Sequence, residues 1–269
     1  MTDKKYLTKT EIAKTLGVAR SSLYYKHKRP LVDEEVKSQI ESVLVDNPAY
    51  GHKRIAIDLK LNKKRILRVM KKFGIKPARR RARKPRKKED EGKEPSKYQN
   101  LIKDLVIDHK GQVWASDFTY INYRNKFIYL ATIIDLFDRE IVGVNISRFH
   151  NKELVLGAFN EAIKEHRPPE ILHSDQGTEY ESDGYTNTVE SLGTKISMSA
   201  KGSPWENGFQ ESFYSQFKLE LGDSNRFDQL GELIEQIYTN MAYYNNKRIH
   251  SAHGMSIKEF KEKKINKKT

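Results

Sequence analysis

The chain has 269 residues, with 50 Lys and Arg against 36 Asp and Glu, a formal net charge of +14 and no cysteine. That length holds one large domain or about two to three small ones, and the missing cysteines exclude disulfides and thiolate zinc sites. A strongly basic soluble chain points to a polyanionic partner, most often nucleic acid.

Met1-Thr2-Asp3-Lys4-Lys5 opens without the apolar run of a signal peptide, and no later stretch approaches the roughly 18 apolar residues of a membrane span. A cytoplasmic protein without a membrane partner is therefore expected. Residues 8 to 28 read as two short helices within a first module, 1–30. Thr8-Lys9-Thr10-Glu11 is a capping-box signature, Ile12, Ala13 and Leu16 give one apolar face, and Gly17 makes the turn. A second helix is expected from Ala19, with Arg20, Ser21 and Ser22 at its N-terminal end. This is the pattern of a helix-turn-helix, which reads the major groove with that end. A helical hairpin that only packs has the same outline.

A second helical module is expected over 31–76. Val36, Ile40, Val43 and Leu44 lie at helical spacing, and Asn47-Pro48 stops that helix. A helical pair follows, the first helix carrying Lys53, Arg54, Ile55 and Leu59. In the second, Ile66, Met70 and Phe73 form the apolar stripe, and Lys63, Lys64, Arg65 and Arg68 make the other face basic. No acid stands at i,i+4, so a phosphate or groove contact is expected of that face. The linker, 77–109, begins with a basic block that includes Arg79, Arg80 and Arg81 and continues into Glu89-Asp90-Glu91. Such a block cannot fold alone, and near DNA it adds salt-dependent affinity.

From about residue 110 the texture changes to strands. Val113–Tyr123, Phe127–Leu136 and Ile141–Ser147 are separated by short polar turns, which implies an antiparallel meander. A helix from Lys152 to Glu165, a strand Glu170–His173, a helix near Tyr185–Leu192 and a strand Thr194–Met198 follow. Strands alternating with helices make the sheet mixed and the class α/β, with the core at 110–222. The closing segment, 223–269, holds a helix Phe227–Tyr244 and a Lys-rich tail expected to fray after Phe260.

Three carboxylates stand out. Asp117 lies inside the first strand, and Asp175 follows the short apolar strand in His173-Ser174-Asp175-Gln176-Gly177. Glu211, with 35 residues between it and Asp175 (positions 176 to 210), lies near the start of a helix. A carboxylate within a strand of β-branched and aromatic residues is costly to bury unless something neutralises it, and a divalent cation does so. Two aspartates on strands and a glutamate on a later helix can converge on a pair of such ions, the chemistry of phosphodiester hydrolysis and transfer. Ser203 and Pro204 signal the helix start and Glu206 completes a capping box, so Glu206 has a structural task. Phe209, Phe213 and Phe217 share one stripe expected to pack inward. Glu211 lies away from it, and Lys218, seven residues on, returns to its face.

Trp114-Ala115-Ser116-Asp117-Phe118-Thr119-Tyr120, Ile134-Asp135-Leu136-Phe137-Asp138-Arg139, His173-Ser174-Asp175-Gln176-Gly177 and Glu211-Ser212-Phe213 together resemble the integrase core of bacterial insertion-sequence transposases. The OrfB type of the insertion sequence three family is the nearest, and retroviral integrases share that core. Tyr50-Gly51-His52-Lys53-Arg54-Ile55 resembles the family's upstream helical DNA-binding module, and Tyr243–Ser251 the segment that closes the core. The resemblance implies a ribonuclease-H-like fold, with a mixed five-stranded sheet, behind all-α helix-turn-helix modules. It implies two Mg²⁺ ions (Mn²⁺ substituting) held by Asp117, Asp175 and Glu211, Lys218 on a phosphate near the cut, and Lys201 as a DNA contact on a loop. It implies that element ends and target DNA are the partners, with a homo-oligomer on double-stranded DNA and an OrfA-type partner or frameshift fusion. A bacterial, nucleoid-associated location goes with that. Pro204-Trp205-Glu206-Asn207 departs from the family's usual stretch before the glutamate. Asp135 ends a strand and is read as a turn cap rather than a ligand. The rival readings are a catalytically silent DNA-binding repressor or end-binding protein and a plain metal-dependent nuclease.

Overall fold

In a computed structural model of the chain, the described residues are 7–24, 29–78, 97–200 and 207–266. The first helix, α1 (Lys9–Thr15), starts with the expected capping box, as Thr8 and Glu11 exchange hydrogen bonds. The next element is 3₁₀ rather than the helix the sequence suggests. It is one 3₁₀ turn, Arg20–Tyr24, without a buried residue, and residues 25–28 lie outside the described ones.

Three helices, α2 (Arg29–Asp46), α3 (His52–Asp58) and α4 (Lys63–Lys72), close a small core of Val36, Ile40, Ile55, Ile66 and Val69. The basic face of α4 has an acidic partner that i,i+4 reasoning missed. Arg68 forks onto Asp33 of α2 at 2.6 and 2.8 Å, and Lys72 joins it at 2.9 Å. These contacts hold the Asp33 carboxyl well below the usual carboxylate range, Arg68 first and Lys72 second. The module is not self-contained. Ile249, far downstream, is buried in its core, and the Tyr50 hydroxyl accepts the Ile249 N–H at 2.7 Å.

The core sheet comprises β1 (Val113–Tyr123), β2 (Lys126–Asp135), β3 (Ile141–Ser147), β4 (Ile171–Ser174) and β5 (Lys195–Met198). Its order is β3-β2-β1-β4-β5, antiparallel through β1 to β3 and parallel from β1 to β4 to β5. The expected meander, mixed sheet and α/β class are thus observed. The β1–β2 turn is tighter than expected: Tyr123 pairs with Lys126, leaving Arg124 (φ 49°) and Asn125 (φ 61°) as a two-residue loop. Positive φ at both positions matches the twist of the flanking strands.

Side chains alternate across β1 and give each face its own core. Val113, Ala115, Ile121 and Tyr123 pack with α8 (Gly208–Leu221) and α9 (Leu230–Asn246). Trp114 faces the other way, onto Phe159 of α5 (Lys152–Glu165), in a core shared with α7 (Asp183–Ser191). A short helix the sequence reading missed, α6 (Thr178–Glu181), leads into α7. α5 lies very close to β3: a Cβ on Gly143 would stand 2.2 Å from the Ala158 carbonyl oxygen.

The C-terminal segment corrects another expectation. Instead of fraying after Phe260, it forms α10 (Ile257–Ile265), because Ser256 and Glu259 make a capping box and Ile257 is buried. Among the described residues, no helix is long and apolar enough to cross a membrane.

Candidate active site

The three carboxylates sit where the parallel half of the sheet ends. β4 pairs only with Val113–Ala115, so β1 runs on past it with Asp117 beyond the last pair. Asp175 immediately follows β4. Glu211 lies in the first turn of α8.

A buried polar lock fixes α8 against β1. The Gln210 amide donates to the Ala115 carbonyl at 2.6 Å and to the Thr132 carbonyl at 3.1 Å. The Tyr214 hydroxyl donates to the Asp117 carbonyl at 2.6 Å and accepts from the Thr132 hydroxyl at 2.8 Å. Gln210, Phe213, Tyr214, Phe217 and Leu221 form the buried stripe. That is a helical face shifted from the expected phenylalanine stripe: Phe209 is 43% exposed, with the Arg139 guanidinium 3.9 Å above its ring. Glu211 falls between the two lock residues Gln210 and Tyr214 on the exposed side. The Ser203–Glu206 capping signal lies outside the described residues, and α8 is described from Gly208.

The electrostatics show that the acids share one space. Burial pushes the Asp117 carboxyl up to about 8, Asp175 and then Glu211 add to the rise, and the Phe118 N–H and Lys218 oppose it. The Asp175 carboxyl is also raised, by burial first and by Glu179, against the Gly177 N–H that it accepts at 3.2 Å. Glu179 is itself paired with His150 at 3.0 Å. Lys218 lies 4.7 Å over the Tyr120 ring, on the same helix as Glu211.

The donor set is three hard carboxylate oxygens sources, which suits Mg²⁺ or Mn²⁺ rather than a soft metal. Among the described residues, no group of three carboxylates or imidazoles is drawn together tightly enough to hold an ion unaided. An ion that keeps several waters and takes substrate phosphate needs only one or two protein carboxylates. The buried Asp117 carboxyl fits that requirement, since a cation beside it would offset the burial and the like charges that raise its pKa.

The other candidates are scattered. Arg20, Ser21 and Ser22 are exposed on the 3₁₀ turn, and Lys53, Lys63 and Lys64 are exposed on α3 and α4. Arg65 is half-buried and Arg68 is committed to Asp33. Arg54 is half-buried, its guanidinium 5.7 Å from the Tyr50 ring. Arg79, Arg80, Arg81 and Lys201 lie outside the described residues. Asp135 is wholly buried and accepts from the Gly111 and Phe137 N–H groups and from Trp114, so it is the turn cap expected of it. Sequence reasoning missed Gln210, Tyr214 and Thr132, whose only signal was polar residues at core positions of α8 and β2.

Two integrase core domain families match the chain, over residues 107–204 and 192–256. The transposase for insertion sequence element IS904 of Lactococcus lactis subsp. lactis (strain IL1403) is 34% identical over 251 residues, covering 88% of this chain and 97% of that one. The chain belongs to the insertion-sequence transposases with an integrase core, of the insertion sequence three family. Transposase InsF for IS3A of Escherichia coli (strain K12) is 26% identical over 272 residues, 94% of each chain. The HTLV-2 integrase catalytic core domain solved in complex with magnesium (trimeric form) aligns with a TM-score of 0.43 and 17% identity, covering 55% of this chain and 95% of that one. For this transposase-family chain, the carboxylates on β1, after β4 and on α8 all fall within or beside the matched core domains.

Proposed function

We propose that this chain binds the ends of an insertion sequence, nicks DNA to leave a 3′ end, and joins that end to a target strand. The observation that carries the reading is the placement of Asp117 past the last β1–β4 pair, Asp175 directly after β4 and Glu211 in the first turn of α8, supported by burial and the charges of Asp175 and Glu211, which raise the Asp117 carboxyl. Two neighbouring carboxyls whose pKa is raised, Asp117 and Asp175, are better accommodated as anions when positive charge is supplied.

In this reading Asp117, Asp175 and Glu211 would hold two Mg²⁺ ions, whose chemistry would be activation of the attacking hydroxyl and stabilisation of the leaving 3′-oxygen. The chain's own groups supply position. The Gln210–Tyr214 lock keeps Glu211 in register with Asp117. Lys218, held over Tyr120, places a cation beside the acids to receive a phosphate. Arg20, Ser21, Ser22, Lys53, Lys63, Lys64 and Arg65 contact duplex DNA from the helical modules, with Arg79, Arg80, Arg81 and Lys201 as further phosphate contacts. Joining needs two DNA sites, so the working form is a homo-oligomer on DNA, with an OrfA-type chain as partner or fusion.

The test is labelled element-end DNA with Mg²⁺, beside Glu211→Gln and the exposed control Glu235→Gln. Wild type and Glu235→Gln are expected to nick and join, while Glu211→Gln binds without cutting. Full activity in Glu211→Gln removes this active site. Nicking without joining marks a plain nuclease. Binding without cutting by wild type, even with an OrfA-type chain added, favours a silent end-binding protein.

A further inference from the structure

Between the helical module and α8 lies a cavity of about 140 Å³, lined among others by Arg54, Arg139, Ser212, Gln216 and Arg248. Water occupies about 30 Å³ per molecule in the liquid, so the space holds a few waters or one tetrahedral anion. Its walls come from separate parts of the chain: α3, the β2–β3 turn, α8, and the segment after α9. Ser212 directly follows Glu211.

The hydrogen bonding around this cavity is incomplete. Arg248 is buried and satisfied, its Nε 2.8 Å from Glu220 and one terminal nitrogen 3.4 Å from Gln216. Arg54 and Arg139 are not. The Nε of Arg54 and a terminal nitrogen of Arg139 are buried without a hydrogen-bond partner among the described residues. Both guanidinium groups rest on aromatic rings instead, Tyr50 and Phe209. Burial lowers the pKa of each, and Arg248 adds to the effect on Arg54. Asp135 and Asp138 act on Arg139 through space, but their hydrogen bonds go to backbone N–H groups and Trp114. His250, also on the wall, is pushed down to about 3 by burial and then by Arg248, so it is neutral. Glu220 is hydrogen-bonded to Arg248, and Asp135 and Asp138 act on Arg139 only through space, so neither Arg54 nor Arg139 has a carboxylate hydrogen-bonded to it among the described residues. A buried charge without a partner is strongly destabilising unless an anion enters. The planar guanidinium fork suits phosphate oxygens.

We infer that this cavity is a phosphate site, where Arg54 and Arg139 hold one backbone phosphate of the DNA strand running along α8 beside Glu211. The identity of the phosphate rests on the DNA-cutting reading above; the two unpartnered guanidinium nitrogens do not. Because Arg54 belongs to the helical module and Arg139 to the core, the bound phosphate also ties the module to the catalytic sheet.

The experiment uses the full chain with EDTA, so that no cleavage occurs. Thermal unfolding is followed in inorganic phosphate and in chloride at equal ionic strength. Wild type is expected to gain about 3 °C more from phosphate than either Arg54→Gln or Arg139→Gln does. The general stabilisation by excluded salts is common to all and cancels. Lys258→Gln, exposed on α10, keeps the wild-type gain. In chloride, Arg54→Gln melts at or above the wild-type temperature, because it removes an unpaired buried charge. A structural arginine does the opposite, and a lower melting temperature for Arg54→Gln overturns the proposal. Equal phosphate gains in wild type and both variants also overturn it. In a second arm, binding to a generic duplex is measured against salt, and each substitution is expected to reduce the log–log slope by about 0.9. An unchanged slope with a lost phosphate gain marks a free-anion site and overturns the DNA assignment. If both arms succeed while wild type never cuts DNA with Mg²⁺, the phosphate site stands and the DNA-cutting reading falls.

Discussion

The hydroxyl of Tyr214 donates to the backbone carbonyl of Asp117 at 2.6 Å, so the helix that carries Glu211 is fastened to the strand at Asp117 itself. Tyr214→Phe removes the donor and leaves that carbonyl and the Thr132 hydroxyl short of a partner. A stability loss of roughly 1–3 kcal/mol is expected in urea unfolding. Strand cleavage is expected to fall by about tenfold, in kcat rather than in DNA affinity, since a small misplacement weakens chemistry more than binding. Wild-type kcat in Tyr214→Phe removes the lock from the mechanism.

Asp117 makes the metal-free protein sensitive to alkali. Its folded pKa, about 8, lies above the ordinary 3.8. From about pH 4 to about 8 the unfolded chain has lost this proton while the folded chain keeps it, so stability falls as pH rises through that window. Asp117→Asn is expected to stabilise the EDTA-treated protein, by roughly 2–4 kcal/mol at about pH 8.5 after allowing for solvent screening, and by less at about pH 5. Melting curves at the two pH values check this. Mg²⁺ binding near neutral pH is expected to release protons, measurable by calorimetry in buffers of different ionisation enthalpy.

His250 works in the opposite direction. It is 6% exposed, and burial, with Arg248 next, depresses its pKa from 6.5 to about 3. Below pH 6.5 the unfolded chain gains a proton that the folded one refuses, so stability falls with acid until about pH 3. Between pH 6.5 and about pH 5 this amounts to roughly 2 kcal/mol. A wild-type acid slope that persists undiminished in His250→Gln assigns the effect elsewhere.

Two glycines test the packing of α5. At Gly143 a Cβ would stand 2.2 Å from the backbone carbonyl of Ala158, which can retreat only if the helix moves. At Gly157 it would stand 2.1 Å from the Asn145 amide, a side chain that can turn away by giving up its 2.9 Å bond to the Leu154 carbonyl. Gly143→Ala is expected to cost about 3 kcal/mol and Gly157→Ala about 1 kcal/mol. Equal losses in denaturant unfolding count against this helix–strand distance.

The α8 stripe separates what was legible from what was not. Phe213 and Phe217 are 4% and 3% exposed, as their spacing predicts, but Phe209 is not buried. Phe213→Ala should cost about 3–5 kcal/mol and Phe209→Ala under about 1 kcal/mol, as measured by urea midpoints. Helical period fixes a face only to within one residue, and the choice of the 210/213/214/217 side came from hydrogen-bond acceptors on β1 and β2 that local sequence does not encode.

The strands and the helix Lys152–Glu165 were readable because period-2 and period-3.6 burial are local patterns. Asp117, Asp175 and Glu211 stood out for a related reason: each breaks or flanks such a pattern where a carboxylate is costly. Other features depended on long-range contacts. Arg68 looked unpaired because its acid, Asp33, is 35 residues away. The Lys-rich end looked frayed because nothing in its composition reveals that Ile257 is buried in the core. The Arg54–Arg139 cavity joins α3 to the β2–β3 turn, so its unpartnered guanidinium nitrogens come together only once the chain has folded. Sequence alone determined the five strands, the longer helices, the basic character and which acids to propose, since each depends on neighbours a few residues away. Tertiary structure decided which charges are paired and which helix face is inside, since pairing and burial depend on distances in space.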